Sequence, residues 1–98
     1  MKVRHSNPNL QRLEADSGFD GGYPAGVVTA FRRRMQAIRA AVDERDIAAI
    51  RGNRFEKLKG NRSHQFSVRL NDQFRLIFEF EGSGTGKTVV VVGVEDYH

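Results

Sequence analysis

The residues best equipped for chemistry close the sequence: Asp96, Tyr97 and His98 set a carboxylate, a phenol and an imidazole side by side, and Lys59 and Arg75 add two cations upstream. Metal-free cleavage of RNA needs this inventory. A base takes the proton of a 2′-hydroxyl, cations hold the charge that builds on the pentacoordinate phosphorus, and an acid protonates the leaving 5′-oxygen. An imidazole such as His98 changes charge in the physiological range. Asp96 can orient it, Arg75 and Lys59 can hold the phosphate, and Tyr97 can stack on a base or donate a hydrogen bond. The same three residues are also well described as a polar chain end with Tyr97 as a partly buried cap. Residue types alone leave both descriptions open.

Two further patterns have a chemical look and carry none. Gly82-Ser83-Gly84-Thr85-Gly86-Lys87-Thr88 imitates a phosphate-binding loop. It is one residue short between its glycines and runs into strand-forming sequence, where that motif requires a helix N-terminus. The histidines His5, His64 and His98 have no spacing typical of metal-ligand pairs, and there is no cysteine to assist them. No metal and no cofactor is expected.

Positive charge is local. Residues 51–75 hold Arg51, Arg54, Lys57, Lys59, Arg62, Arg69 and Arg75 against Glu56 and Asp72, seven cations to two carboxylates, while the whole chain is only +4. A concentrated cationic segment attracts polyanions, of which nucleic acid is the commonest in a cell. The 98 residues suffice for one modest core, so a single domain over 1–98 is expected. Absence of cysteine fits a reducing, cytoplasmic location. No stretch approaches the ~20 apolar residues of a membrane span, so no membrane role is expected.

The elements that must position these groups can be read from period. Residues 2–5 start a strand; Asn7 and Pro8 form an N-cap and first helical position leading into residues 9–14; residues 16–22 are a breaker-rich loop. Pro24 opens a longer helix whose stripe Val28, Phe31, Met35, Ile38 and Val42 is read as core, with the Arg32-Arg33-Arg34 run on a solvated face. Residues 43–50 extend or follow that helix, and Gly52-Asn53 ends it. The period then changes to two. Phe66, Val68 and Leu70, then Phe74, Leu76, Phe78 and Phe80, face the helices from two antiparallel strands joined at Asn71-Asp72, which leaves Arg69 and Arg75 together on the open face. The β-branched run at 88–94 reads as a strand central in the sheet. The expected architecture is α+β, an N-terminal strand and two to three helices packed on one face of a three- to four-stranded antiparallel sheet.

Three pieces carry a family resemblance. Residues 54–62, with Leu58-Lys59-Gly60 at their centre, then Gln65-Phe66-Ser67-Val68-Arg69-Leu70-Asn71 with Phe74-Arg75-Leu76, then Asp96-Tyr97-His98, together resemble the HigB group of RelE-type bacterial toxins. In that group a Leu-Lys-Gly turn precedes a Ser-Ile-Arg-Ile-Asn strand, a hairpin leads to Trp/Tyr-Arg-Ile, and the chain stops at Asp-Tyr-His. The resemblance implies a RelE-like fold and a toxin that enters the ribosomal decoding site and cuts messenger RNA by 2′-hydroxyl attack. It also implies control by a cognate HigA-like helix-turn-helix antitoxin. Carried over by position, the implied catalytic set is Lys59, Arg75, Asp96, Tyr97 and His98; apart from the resemblance, the basic open face is expected to bind RNA, with Lys57, Arg62 and Arg69 as its further cations. One position departs from the pattern: Glu56 stands where some members have a histidine, leaving open which residue is base and which is acid. Two other functions share the fold. A ParE-like inhibitor of DNA gyrase would lack the Asp96-Tyr97-His98 set, and a catalytically weakened RNA- or antitoxin-binding module is compatible with Glu56.

Overall fold

The computed structural model describes residues 1–50 and 52–96. The chain runs β1 (Lys2–His5), α1 (Pro8–Ala15), α2 (Ala25–Ala40), α3 (Glu44–Ala49), β2 (Glu56–Lys57), β3 (Gln65–Arg69), β4 (Phe74–Glu81) and β5 (Thr88–Asp96), with single 3₁₀ turns at Gly60–Arg62 and Gly84–Gly86. Asn7 caps α1 as its sequence indicates, its side-chain oxygen accepting from the Leu10 backbone N–H at 3.1 Å with Pro8 in the first turn. Leu10 and Leu13 from α1, and Val28, Phe31, Met35 and Ile38 from α2, enter the core.

Val42, expected to continue that stripe, is 78% exposed. α2 ends before it: the Ala41 N–H bonds back to the Ala37 and Ile38 carbonyls, Ala41 itself is extended, and Asp43 starts α3 by capping the Arg45 N–H. The Arg32-Arg33-Arg34 run is likewise not a uniformly solvated face. Arg32 donates to the carbonyls of Leu13, Asp16 and Phe19 at 2.9–3.0 Å, gathering the end of α1 and the loop after it, and Arg34 donates to the Arg69 carbonyl at 3.1 Å. Only Arg33 of the three is fully exposed. A guanidinium presents several donors in one plane, so it can satisfy backbone acceptors that a helix end leaves open.

Among the described residues the sheet has five strands in the order β1-β5-β4-β3-β2. The α+β architecture is as expected, with the N-terminal strand at residues 2–5 and four strands after the helices, of which the short β2 had not been located. β1 pairs with β5 in parallel, and the two-residue β2 pairs antiparallel with β3. β5 lies inside the sheet, with Val89 and Val91 fully buried. The hairpin β3–β4 sets Phe66 opposite Phe78 and Val68 opposite Leu76 on the helix side, and Arg69 opposite Arg75 on the other. Phe55, Phe66, Phe78 and Phe80 form a contiguous ring cluster at centroid separations of 5.1–6.1 Å. Asn53, 1% exposed, pins α3 to this sheet: its Nδ2 donates to the Ile47 carbonyl and its own carbonyl accepts from the Arg69 N–H. The glycine-rich segment at 82–86 joins β4 to β5 and feeds a strand.

One irregularity governs the end of β5. Ile77 pairs with Gly93 but Phe78 pairs with Val91, so Val92 is a bulge residue. Strand faces alternate with period two, and an extra residue reverses that parity downstream. Beyond the bulge Glu95 therefore pairs with Arg75 on the open face, while Asp96 pairs with Phe74 on the helix side.

Candidate functional site

The open face of the sheet was expected to present bare arginines. It presents a charge-compensated network. Arg62, delivered by the 3₁₀ turn after Gly60, donates through Nη1 and Nη2 to both oxygens of Glu95 at 3.0 and 2.6 Å and through Nε to Gln65 at 2.8 Å. Gln65 lies on β3 and Glu95 on β5, so the guanidinium must cross β4, and Ile77 beneath it is only 3% exposed. Gln65 in turn donates to Glu79 at 2.9 Å, and the His64 Nε2 lies 3.4 Å from the same carboxylate. Arg69 is paired with Asp72 in the β3–β4 turn.

Arg75 stands on this face, across from Arg69, but is buried, 6% exposed. Its position on the open face is as expected, whereas the exposure expected of it is not found. Lys59 is exposed, in extended backbone just before Gly60, whose φ of +68° suits glycine and turns the chain into the 3₁₀ helix. Glu56 is exposed on β2 and pairs with Ser67, which puts it on the open face. Lys57 pairs with Phe66 and so belongs by register to the helix side, at the exposed sheet edge. Asp96 accepts from the Gln73 side chain at 2.9 Å and lies on the helix side, away from the face that holds Arg75. Tyr97 and His98 lie outside the described residues, as does Arg51. Glu56, Arg62, Arg69 and Arg75 thus share one face, whereas Lys57 and Asp96 do not, and Lys59 stands in the turn that leads into Arg62.

Sequence reading missed Glu95, Gln65 and Glu79 as members of this surface. Gln65 and Glu79 were legible, since strand alternation puts both on the face of Arg69 and Arg75. Glu95 was not, because only the bulge turns it there. The carboxylates of β4 and β5 fall outside the cationic 51–75 segment, so the local charge excess overstates how positive the face is. The bidentate Glu95 partner raises the Arg62 pKa. Arg34 shifts the other way, lowered first by burial and then by the neighbouring charges of Arg33 and Arg69.

A second polar cluster lies on the helix side. His5, whose side chain is 6% exposed, sits 2.7 Å from Glu14, and Arg39 grips the same carboxylate bidentately at 2.7 and 2.9 Å. It ties β1, α1 and α2 together. Among the described residues no group of three or more His, Asp or Glu side chains is arranged to hold a metal ion, and no helix is long and apolar enough to cross a membrane.

The family described as RelE-like toxin of type II toxin-antitoxin system HigB matches residues 5–98. Toxin HigB-1 of Vibrio cholerae serotype O1 is 40% identical over 80 residues, covering 82% of this chain and 84% of the relative. Among solved structures, the YoeB/ParE toxin from Agrobacterium tumefaciens superposes over the full length of both chains with a TM-score of 0.65 at 18% identity. The YoeB dimer from Staphylococcus aureus covers 100% of this chain and 97% of its own, with a TM-score of 0.61 at 18% identity. At that identity the structural matches establish likeness of fold.

Proposed function

Because the chain belongs to the HigB-like family, the RelE-like toxins of type II toxin-antitoxin systems, we propose that it is a ribosome-dependent endoribonuclease that cuts messenger RNA without a metal. The observation that carries this reading is the convergence of Arg62, Arg69 and Arg75 on one sheet face beside the strand that leads into Tyr97 and His98. RNA lying on this face would meet guanidinium groups suited to phosphate oxygens in bidentate geometry. Lys59, exposed in the turn that leads into Arg62, is assigned a mobile point charge toward the same phosphate. His98 is assigned the proton transfer at the 2′-hydroxyl or the leaving 5′-oxygen, and Tyr97 stacks on a base or donates a hydrogen bond. Glu56, exposed on the face, is a second acceptor for the 2′-hydroxyl proton.

Membership in a toxin-antitoxin family implies an antitoxin partner. The proposed partner is a HigA-like helix-turn-helix protein that keeps the toxin from the ribosome in the cytoplasm. Primer-extension mapping of transcripts after induction of the chain tests the whole reading. Cuts phased with codons inside translated regions are expected; intact transcripts accompanied by DNA damage would replace the nuclease with a gyrase inhibitor.

A further inference from the structure

We propose that Glu95 is a built-in stand-in for phosphate, so that RNA binds the open face by exchanging a phosphodiester for the Glu95 carboxylate on Arg62. Five observations converge on it. Arg62 holds both Glu95 oxygens in a fork, the geometry in which a guanidinium takes two phosphate oxygens. Glu95 pairs in register with Arg75, so the ion pair it makes with Arg62 lies on the same face as the cation proposed to hold the phosphate. The Val92 bulge is what turns Glu95 onto this face, and without it the strand would direct this side chain toward the helices. Both side chains remain 43% exposed, so the pair can open without unpacking the core. Gln65, anchored by Glu79, keeps hold of the Arg62 Nε and would preserve the guanidinium's position as Glu95 leaves.

The exchange rests on the reading that this face receives RNA, and it makes Glu95 a residue that sets affinity rather than one that reacts. An exposed ion pair contributes little in water, so a polyanion offering several contacts at once can displace the carboxylate, while a lone small anion competes poorly. Free chain would therefore bind isolated RNA weakly. Glu95 removal should strengthen binding through Arg62 alone.

The test is fluorescence anisotropy of a fully 2′-O-methylated RNA oligonucleotide, which cannot be cut, with the wild-type chain, Glu95→Gln, Arg62→Gln and the double variant. Glu81→Gln is the control for net charge, since Glu81 on the same sheet pairs with Arg4 instead. Glu95→Gln should bind roughly two- to fivefold more tightly than wild type. Its log-log salt slope should stay at the wild-type value, because Arg62 neutralises one phosphate in both, whereas Arg62→Gln should lose about 0.7 of that slope. The gain in affinity should vanish in the double variant, and Glu81→Gln should show none. No gain in Glu95→Gln, an equal gain in Glu81→Gln, or a gain that survives Arg62→Gln would overturn the exchange. Transcript cleavage by the wild type, read separately, tells the two ideas apart. Cleavage without a Glu95 effect leaves the nuclease and removes the exchange, and a Glu95 effect without cleavage does the reverse.

Discussion

At the scale of single residues, the two ends of the chemistry separate. Glu56 sits in a segment with Arg54, Lys57 and Lys59, and a carboxylate facing an incoming phosphate repels the group it would serve. His98 is assigned the proton transfer, and loss of a general acid or base typically slows a reaction ~10²–10⁴-fold. Glu56→Gln should therefore keep most of its transcript cleavage and growth arrest while His98→Ala loses both, with circular dichroism confirming that each folds. Complete loss in Glu56→Gln with His98→Ala still active would move the catalytic centre to the Leu58-Lys59-Gly60 turn. Glu14 makes a residue-scale prediction about stability. Its pKa lies below the usual 4.5, foremost because Arg39 hydrogen-bonds the charged form and also because His5 does. A carboxyl depressed in the folded state adds stability that is complete above its unfolded value and disappears as pH falls through the folded one. Glu14→Gln should cost about 1–3 kcal/mol at pH 7, and urea titrations of the two proteins should converge below pH 4. A gap that stayed constant from pH 7 to pH 3 would sink the assignment.

Among the elements, α1 depends on Arg32 more than on its own sequence. Eight residues make a marginal helix in isolation, and its C-terminal carbonyls need donors. Arg32 reaches from α2 to supply them at Leu13, with Asp16 and Phe19 in the loop beyond. Hydrogen bonds involving a charged donor contribute roughly 1.5–3 kcal/mol when broken. Arg32→Ala should destabilise the chain by about 2–3 kcal/mol, and Arg32→Lys should recover less than half of that loss because an ammonium cannot span three acceptors in one plane. Hydrogen exchange should show the loss first in residues 10–20. Protection spread evenly over the chain in Arg32→Ala would mean that the arginine does not act as a local staple.

For the molecule as a whole, the question is how far a net charge of +4 predicts binding. Segment 51–75 carries the excess, yet folding lays Glu56, Glu79 and Glu95 across the same sheet face as Arg62, Arg69 and Arg75. Long-range attraction survives such mixing, whereas contact requires ion pairs to exchange. Association with ribosomes should accordingly fall with salt, by roughly 20- to 50-fold between 50 and 200 mM for three or four neutralised phosphates. Sedimentation of the chain with ribosomes over that range measures it. Affinity that hardly changed would show that this face does not meet RNA.

The Asn7-Pro8 cap of α1, the stripe of Val28, Phe31, Met35 and Ile38, and the face assignment of Arg69 against Arg75 were all legible in the sequence. Each depends on a local period or a local hydrogen bond, which a few neighbouring residues determine. The Leu58-Lys59-Gly60 turn and the Asp96-Tyr97-His98 ending were legible as residue types in order, enough to indicate a family and a chemistry. What the amino acids alone left undecided is whatever depends on residues far apart in the chain. Val42 leaves the core because Asp43 caps a new helix, and Arg32 and Arg34 are drawn from solvent by carbonyls 13–35 residues away. The largest such decision is one residue long. Val92 bulges where β5 meets β4, reverses the alternation of everything after it, and so sends Glu95 to Arg62 and Arg75 and Asp96 to the helix side. Within the run Val89-Val90-Val91-Val92-Gly93-Val94, Gly93 alone hints at an irregularity, and it does not decide that an extra residue falls there, because a bulge is set by how two strands pair, and strand pairing is a property of the folded sheet.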